Sequence, residues 1–184
     1  MNDKHKRTFN SPFSASEIDK AADIVKDILR SLQPKQQRIF SEWLDTWKLY
    51  IAFETNFEPR KMRYYKRGEI VLVHFGYNVG SELGGIHYAI VVENNNNIAS
   101  PTLTVVPLSS LETGKTSSSL HPSTVFLGNV VGNKDSYAMP LQIRAISKLR
   151  IVKPKHKADT VYKISKDQLN QIDDKIKLLF TRTT

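Results

Sequence analysis

Three residues in the second half of the chain, His87, Ser109 and Arg144, carry side chains suited to moving protons and holding a phosphate, and each falls near the end of an apolar, strand-like run. An imidazole titrates near neutrality and serves as a general acid or base. A serine hydroxyl can hold a phosphate oxygen, and a guanidinium offers a planar fork of donors that fits one. Cleaving an RNA phosphodiester without a metal needs little more. One group takes the proton from the 2′-hydroxyl, one protonates the leaving 5′-oxygen, and cations or donors surround the phosphorane. Each residue also has an ordinary reading, since a lone histidine is more often structural than chemical, and spacing alone leaves the choice open.

Other chemistries find less support. The histidines, His5, His74, His87, His121 and His156, form no H-x-x-x-H pair and have no carboxylate at ligand spacing on a helix, so no metal site and no cofactor is expected. There is no cysteine, which removes disulfides, thiolate nucleophiles and Cys-type zinc sites. The G-K-T of "ETGKTSSS" lacks the earlier glycine of a phosphate-binding loop, and no G-x-S-x-G elbow marks a serine hydrolase.

The chain has 184 residues, 40% of them apolar, enough for one ordinary domain or a domain with an appendage. Its formal charge of +9 favours polyanionic partners. Residues 1–63 hold 12 basic and 9 acidic side chains, and residues 64–184 hold 15 and 9, so most of the excess lies in the second part. Between Arg144 and Lys157 six basic residues occur with no acidic one, a run that reads equally as a solvated face or as a phosphate track. No apolar run reaches membrane-spanning length, and "MNDKHKRTFNSPF" lacks the apolar core of a secretory signal, so a cytoplasmic protein without membrane association is expected.

The elements that must position these residues change period along the chain. Ser14 and Glu17 fit a capping box, followed by Ile18, Ala21, Ala22, Val25, Ile28, Leu29 and Leu32 on one helical face. Pro34 suits the first turn of a second helix, whose stripe of Ile39, Phe40, Trp43, Leu44, Trp47, Tyr50 and Ile51 is broad and is expected to pack on a core or another chain. From Arg63 onward the pattern turns to short strands, "EIVLVHF", "YAIVVE", "LTVVPL", "STVFLG" and "YAMPLQIRAI", with Pro107 expected at an edge or bulge. A last helix opens with the capping pair Ser165 and Gln168. The expected class is α+β: a helical extension over residues 1–62, then a small antiparallel barrel with a C-terminal helix over 63–184.

Three motifs occur in a telling order: "KRGEIVLVHFGYNVGSELGGIHYAIVVENN", "SPTLTVVPLSS" and "LQIRAISKLRI". Together they resemble the MazF/PemK (Kid-like) toxins of type II toxin–antitoxin systems, over about Tyr65 to Thr181. The resemblance implies an SH3-like barrel, a homodimer, metal-independent cleavage of single-stranded RNA at short sequences, and a cognate antitoxin that lays an acidic, apolar tail across the RNA groove. Val79–Gly85 corresponds to a loop over that groove, with Glu82, Gly84 and Gly85 beside the RNA and Lys148 and Arg150 among further RNA contacts. His87 stands where the family has its catalytic arginine, Tyr88 where it has proline, and Ser109 where it has the catalytic threonine. Arg144 matches the arginine of Q-I-R and would stabilise charge. Threonine to serine keeps the hydroxyl, whereas arginine to histidine exchanges a permanent charge for a titratable one. The alternatives are an inactive RNA- or protein-binding module on the same fold, or a gyrase-directed toxin of related fold. The helical extension lies outside the resemblance and reads as structural support or as a built-in inhibitor.

Overall fold

The computed structural model describes residues 12–182. His5 and most of the N-terminal stretch read above for a secretory signal lie outside them. The chain divides into two compact units between Thr46 and Trp47, inside the second helix.

In the first unit, helix α1 (Ala15–Ser31) begins at the expected capping box: the Ser14 hydroxyl accepts from the Glu17 amide, and the Glu17 carboxylate accepts from the Ser14 amide at 2.9 Å. Helix α2 (Pro34–Glu54) starts on Pro34, as the sequence predicts. Gln37 ties the two together by donating to the Leu29 carbonyl at 2.9 Å. The expected burial of the stripes is not found, because no residue of α1 or α2 is buried. Phe40, Trp43 and Leu44 are half-buried, while Ile18, Ile24 and Ile39 are exposed.

The second unit is an antiparallel sheet with a C-terminal helix, completing the α+β arrangement the sequence predicts. Its strands are β1 (Glu69–Gly76), β2 (Gly85–Val91), β3 (Thr102–Ser110), β4 (Val125–Val131), β5 (Lys134–Ala138), β6 (Arg144–Ser147), β7 (Ile151–Lys153) and β8 (Tyr162–Lys163), followed by α3 (Lys166–Phe180). The main path runs β4-β5-β3-β2-β1-β7, with β6 on β3 and β8 on β1. The expected strand "YAMPLQIRAI" is broken, because Pro140 opens a 3₁₀ turn over Pro140–Gln142 between β5 and β6. The change of period near residue 63 does not coincide with the compact division, since residues from Trp47 onward belong with the sheet: Met62 packs into its core, and the Tyr50 ring meets His74 edge-on at 6.4 Å.

Ala89–Val91 of β2 and Val105–Leu108 of β3 are buried on both faces, as is most of β1, which explains the nearly continuous apolar runs there. Alternate residues separate into two layers. Val71, Val73, Phe75, Ala89, Val91, Leu103 and Val105 form one with Tyr65, Ile146 and Ile151. Ile70, Ile90, Val106 and Leu108 form the other with the β4–β5 hairpin and Ile172 of α3. Arg67 pairs with Asp173 and fastens the start of the sheet to α3. Beside the first layer, Arg63 and Glu69 form a largely buried ion pair at 2.9 Å, and the Arg63 guanidinium lies 5.1 Å above the Tyr65 ring.

Tyr65 is fully buried and donates to the Pro154 carbonyl at 2.9 Å. Burial first, and then the nearby Asp159 and Glu69 carboxylates, push its phenol up to about 12, against a partial lowering by Arg63. The unfolded chain releases this proton near pH 10 and the folded chain near 12, so stability should fall with rising pH between those values. Tyr65→Phe should cost about 1 kcal/mol at neutral pH. Its urea midpoint should also decline less steeply above pH 10 than that of the wild type; parallel declines would assign the alkaline loss to other groups.

Candidate active site

The geometry of the site follows from a change of strand partner. β3 pairs with β2 through Val91↔Val105, Ile90↔Val106 and Ala89↔Pro107, and there the ladder stops. From Leu108 the same strand pairs with β5, through Leu108↔Ala138, Ser109↔Tyr137 and Ser110↔Ser136. Pro107 has no amide hydrogen to extend the first ladder, and its carbonyl accepts from Met139 at 2.9 Å, on the β5 side. Pro107, expected at an edge or bulge, is therefore the point where the strand leaves one sheet for another. Beyond it β2 and β3 splay apart, and a cavity of about 380 Å³ lies there, lined by Leu72, Ile86, His87, Tyr88, Leu108, Ser109, Ser110 and Ser136.

His87 and Ser109, two residues from the last paired positions on either strand, thus line one cavity. His87 lies inside β2, opposite Val73 of β1, because the strand begins at Gly85, earlier than the apolar run suggests. Arg144 does not line the cavity. It sits on β6 opposite Val105, with its guanidinium 5.3 Å above the Phe75 ring, and donates to the Gln142 side-chain oxygen at 2.8 Å and to the Gln142 carbonyl at 3.4 Å.

Sequence reasoning missed Gln142. Its Oε1 also accepts from the Leu83 amide at 3.2 Å, and its Nε2 donates to the Ser81 carbonyl at 3.3 Å. From inside the loop, Asn78 donates to the Leu83 carbonyl at 2.6 Å. One glutamine therefore holds both ends of the Ser81–Leu83 segment, and Arg144 holds the glutamine. The available signal was its place in "LQIR", a motif read for the arginine alone. Within the loop Glu82 is exposed. Gly84 has no room for a side chain, since a Cβ would lie 2.8 Å from the Gly76 carbonyl oxygen, and Gly85 takes a positive φ of 78°.

The remaining basic candidates have partners inside the protein. Lys148 is buried and donates to the carbonyls of Asn97 at 3.0 Å and Ile98 at 3.3 Å, with burial lowering its pKa. The Lys148 ammonium is thus engaged by the protein's own carbonyls, away from any surface where a phosphate would lie. Arg150 donates to the Phe75 carbonyl at 2.9 Å and lies close enough to Tyr50 and Arg144 for their charges to act on it. Lys153, Lys155 and Lys157, farther along the run, are exposed. Among the described residues no group of three or more His, Asp or Glu side chains lies close enough to hold a metal ion, and no helix is long and apolar enough to cross a membrane. The cavity thus combines an imidazole, several hydroxyls and an apolar floor, a set that can transfer a proton and bind an oxyanion beside a flat apolar group.

Residues 66–180 match the family model of the PemK-like, MazF-like toxin of type II toxin–antitoxin system. The chain belongs to this family. Among solved structures it is similar to MazF from Deinococcus radiodurans (crystal form I), at 20% identity and a TM-score of 0.47 over 64% of this chain and 97% of that one. It is also similar to a MazE–MazF structure from the same organism (form II), at 17% identity and a TM-score of 0.43 over 65% and 99%. No curated protein matches the chain.

If Gln142 sets the loop, Gln142→Ala should raise amide hydrogen exchange across residues 79–85 while leaving exchange in β1 and β3 unchanged. Unaltered exchange in the loop would show that Asn78 and the glycines hold it alone.

Proposed function

We propose that this toxin is a sequence-selective, metal-independent endoribonuclease acting on single-stranded RNA. The observation that carries the reading is that His87 and Ser109 line one cavity at the point where β3 leaves β2. The imidazole of His87 takes the proton from the 2′-hydroxyl, or returns one to the leaving 5′-oxygen. Ser109 donates to a non-bridging phosphate oxygen. The 2′-oxygen forms its bond to phosphorus as the bond to the 5′-oxygen breaks, leaving a cyclic phosphate and a free 5′-hydroxyl. Arg144 acts through Gln142 on the loop that carries Glu82, and adds positive potential beside the cleft. Glu82, Gly84 and Gly85 border the RNA from the loop, and Arg150 supports the strand end beneath it. A cytoplasmic homodimer neutralised by a cognate antitoxin completes the reading. The second reading, an inactive module that binds RNA or protein, is favoured by one observation: a titratable imidazole stands where the family carries a permanent charge.

The wild type should cut a long single-stranded RNA at discrete positions in excess EDTA. His87→Ala should slow cutting by about 100-fold or more. Ser109→Ala should slow it by a smaller factor, and His87→Arg should retain cutting. Equal rates for wild type and His87→Ala would remove His87 from the chemistry. Binding without cutting by every variant, the wild type included, would establish the module.

A further inference from the structure

We propose that Tyr88 is the stacking platform of a pocket for one unpaired nucleobase, set in the cavity beside His87. The inference rests on the reading of that cavity as an RNA site and names what the rest of it is for.

One layer of the core stays open at one end. On the face shared by Ile70, Ile90 and Val106 these three residues are sealed, at 2%, 0% and 0% exposure. Two residues farther along β2 the same face reaches Tyr88, paired with Leu72, and then Ile86, paired with His74. There it opens: Tyr88 is 37% exposed and Ile86 56%. The cause is the departure of β3, which no longer covers β2 after Pro107. An aromatic ring is thus left half-uncovered on a strand paired to β1, in a cavity lined also by Leu72 and Leu108 and by the hydroxyl residues Ser109, Ser110 and Ser136.

A lining that mixes apolar and aromatic carbon with hydroxyls fits a ligand with apolar faces and polar edges. A nucleobase has that form, and stacking on an aromatic ring accepts any base through its π-face. The charge agrees. Residues 47–184 hold 19 basic and 11 acidic side chains, and no acidic residue lines the cavity. The backbone of a single strand would be drawn to this unit while the base entered a pocket without carboxylates. His87, which alternation turns to the opposite face of β2, lines the same cavity where β3 has left the strand edge open, so a base seated on Tyr88 would direct a neighbouring phosphodiester past that edge toward the imidazole. Tyr88 would then set position and base preference without taking part in proton transfer.

The test uses the full-length protein and a pool of 12-nucleotide, 2′-fluoro oligonucleotides of mixed sequence with 5-iodouracil in place of uracil. These lack the attacking hydroxyl, so binding is read apart from cleavage. Long-wavelength irradiation and peptide mass spectrometry should find the adduct on Tyr88. Tyr88→Leu should weaken binding at least tenfold and Tyr88→Phe less than threefold, with both variants unfolding at the wild-type temperature. Tyr88→Leu binding within twofold of wild type would overturn the proposal and leave the RNA reading intact. So would a loss in Tyr88→Phe equal to that in Tyr88→Leu, because the hydroxyl rather than the ring would then be at work. Failure of the wild type to bind the pool would overturn both.

Discussion

The change of partner by β3 at Pro107 is the constraint on which the second unit depends. A strand that kept its first partner would continue the β2 ladder past Ala89 and bring Ser109 against His87 across a closed sheet. Proline supplies no amide hydrogen for that ladder, and its carbonyl is taken by Met139 on the other side. The strand therefore joins two sheets, and its inner residues Val106 and Leu108 carry one core layer from the β1–β2–β3 sheet into the β4–β5 hairpin, where α3 closes it. One junction accounts both for the continuity of this core and for the opening in which the candidate residues lie.

A second theme is where the positive charge goes. The run from Arg144 to Lys157 contains six basic side chains, and the structure divides it into two halves with different physical roles. The first half turns inward. Arg144 fixes Gln142, Lys148 gathers two loop carbonyls, and Arg150 caps the end of β1. Buried or half-buried carbonyls need donors, and long basic side chains reach them where backbone cannot. The second half, Lys153, Lys155 and Lys157, faces solvent, where a diffuse field can draw a polyanion. Much of what composition offers as a phosphate track is therefore the fastening of two loops, and the exposed part lies farther along the chain.

The fold was legible in the sequence wherever a local rule governed it. The capping boxes at Ser14–Glu17 and Ser165–Gln168 and the start of α2 at Pro34 each follow from bonds or backbone preferences set within a few residues. The joint placement of His87 and Ser109 was legible as separate motifs, but the cavity between them was not, because it arises from pairing between residues far apart in the chain. Lys148 and Gln142 mark the same boundary. Nothing in "QIRAISK" distinguishes a lysine that meets solvent from one that meets the carbonyls of Asn97 and Ile98, nor a glutamine that reaches back some sixty residues to Ser81. The apolar stripes of α1 and α2 are visible in the sequence, yet such a pattern does not say what covers it, and no residue of either helix is buried.

These points bear on what a histidine in place of an arginine implies for this toxin. A fixed guanidinium in the cavity would hold a phosphate at any pH and would transfer a proton poorly. With His87 there, the fixed charge lies outside the cavity, on Arg144 and Arg150 near Phe75, where it orders the loop and the strand end, and the cavity itself keeps a group that can move a proton. On the proposed reading, phosphate stabilisation then depends more on hydroxyls such as Ser109 and on how firmly the substrate is seated. A platform such as Tyr88 would supply that seating: when less of the transition state is held by charge, more must be held by position. On that reading two of the three departures from the family pattern, His87 and Tyr88 at adjacent positions of one strand, are compensating parts of a single site.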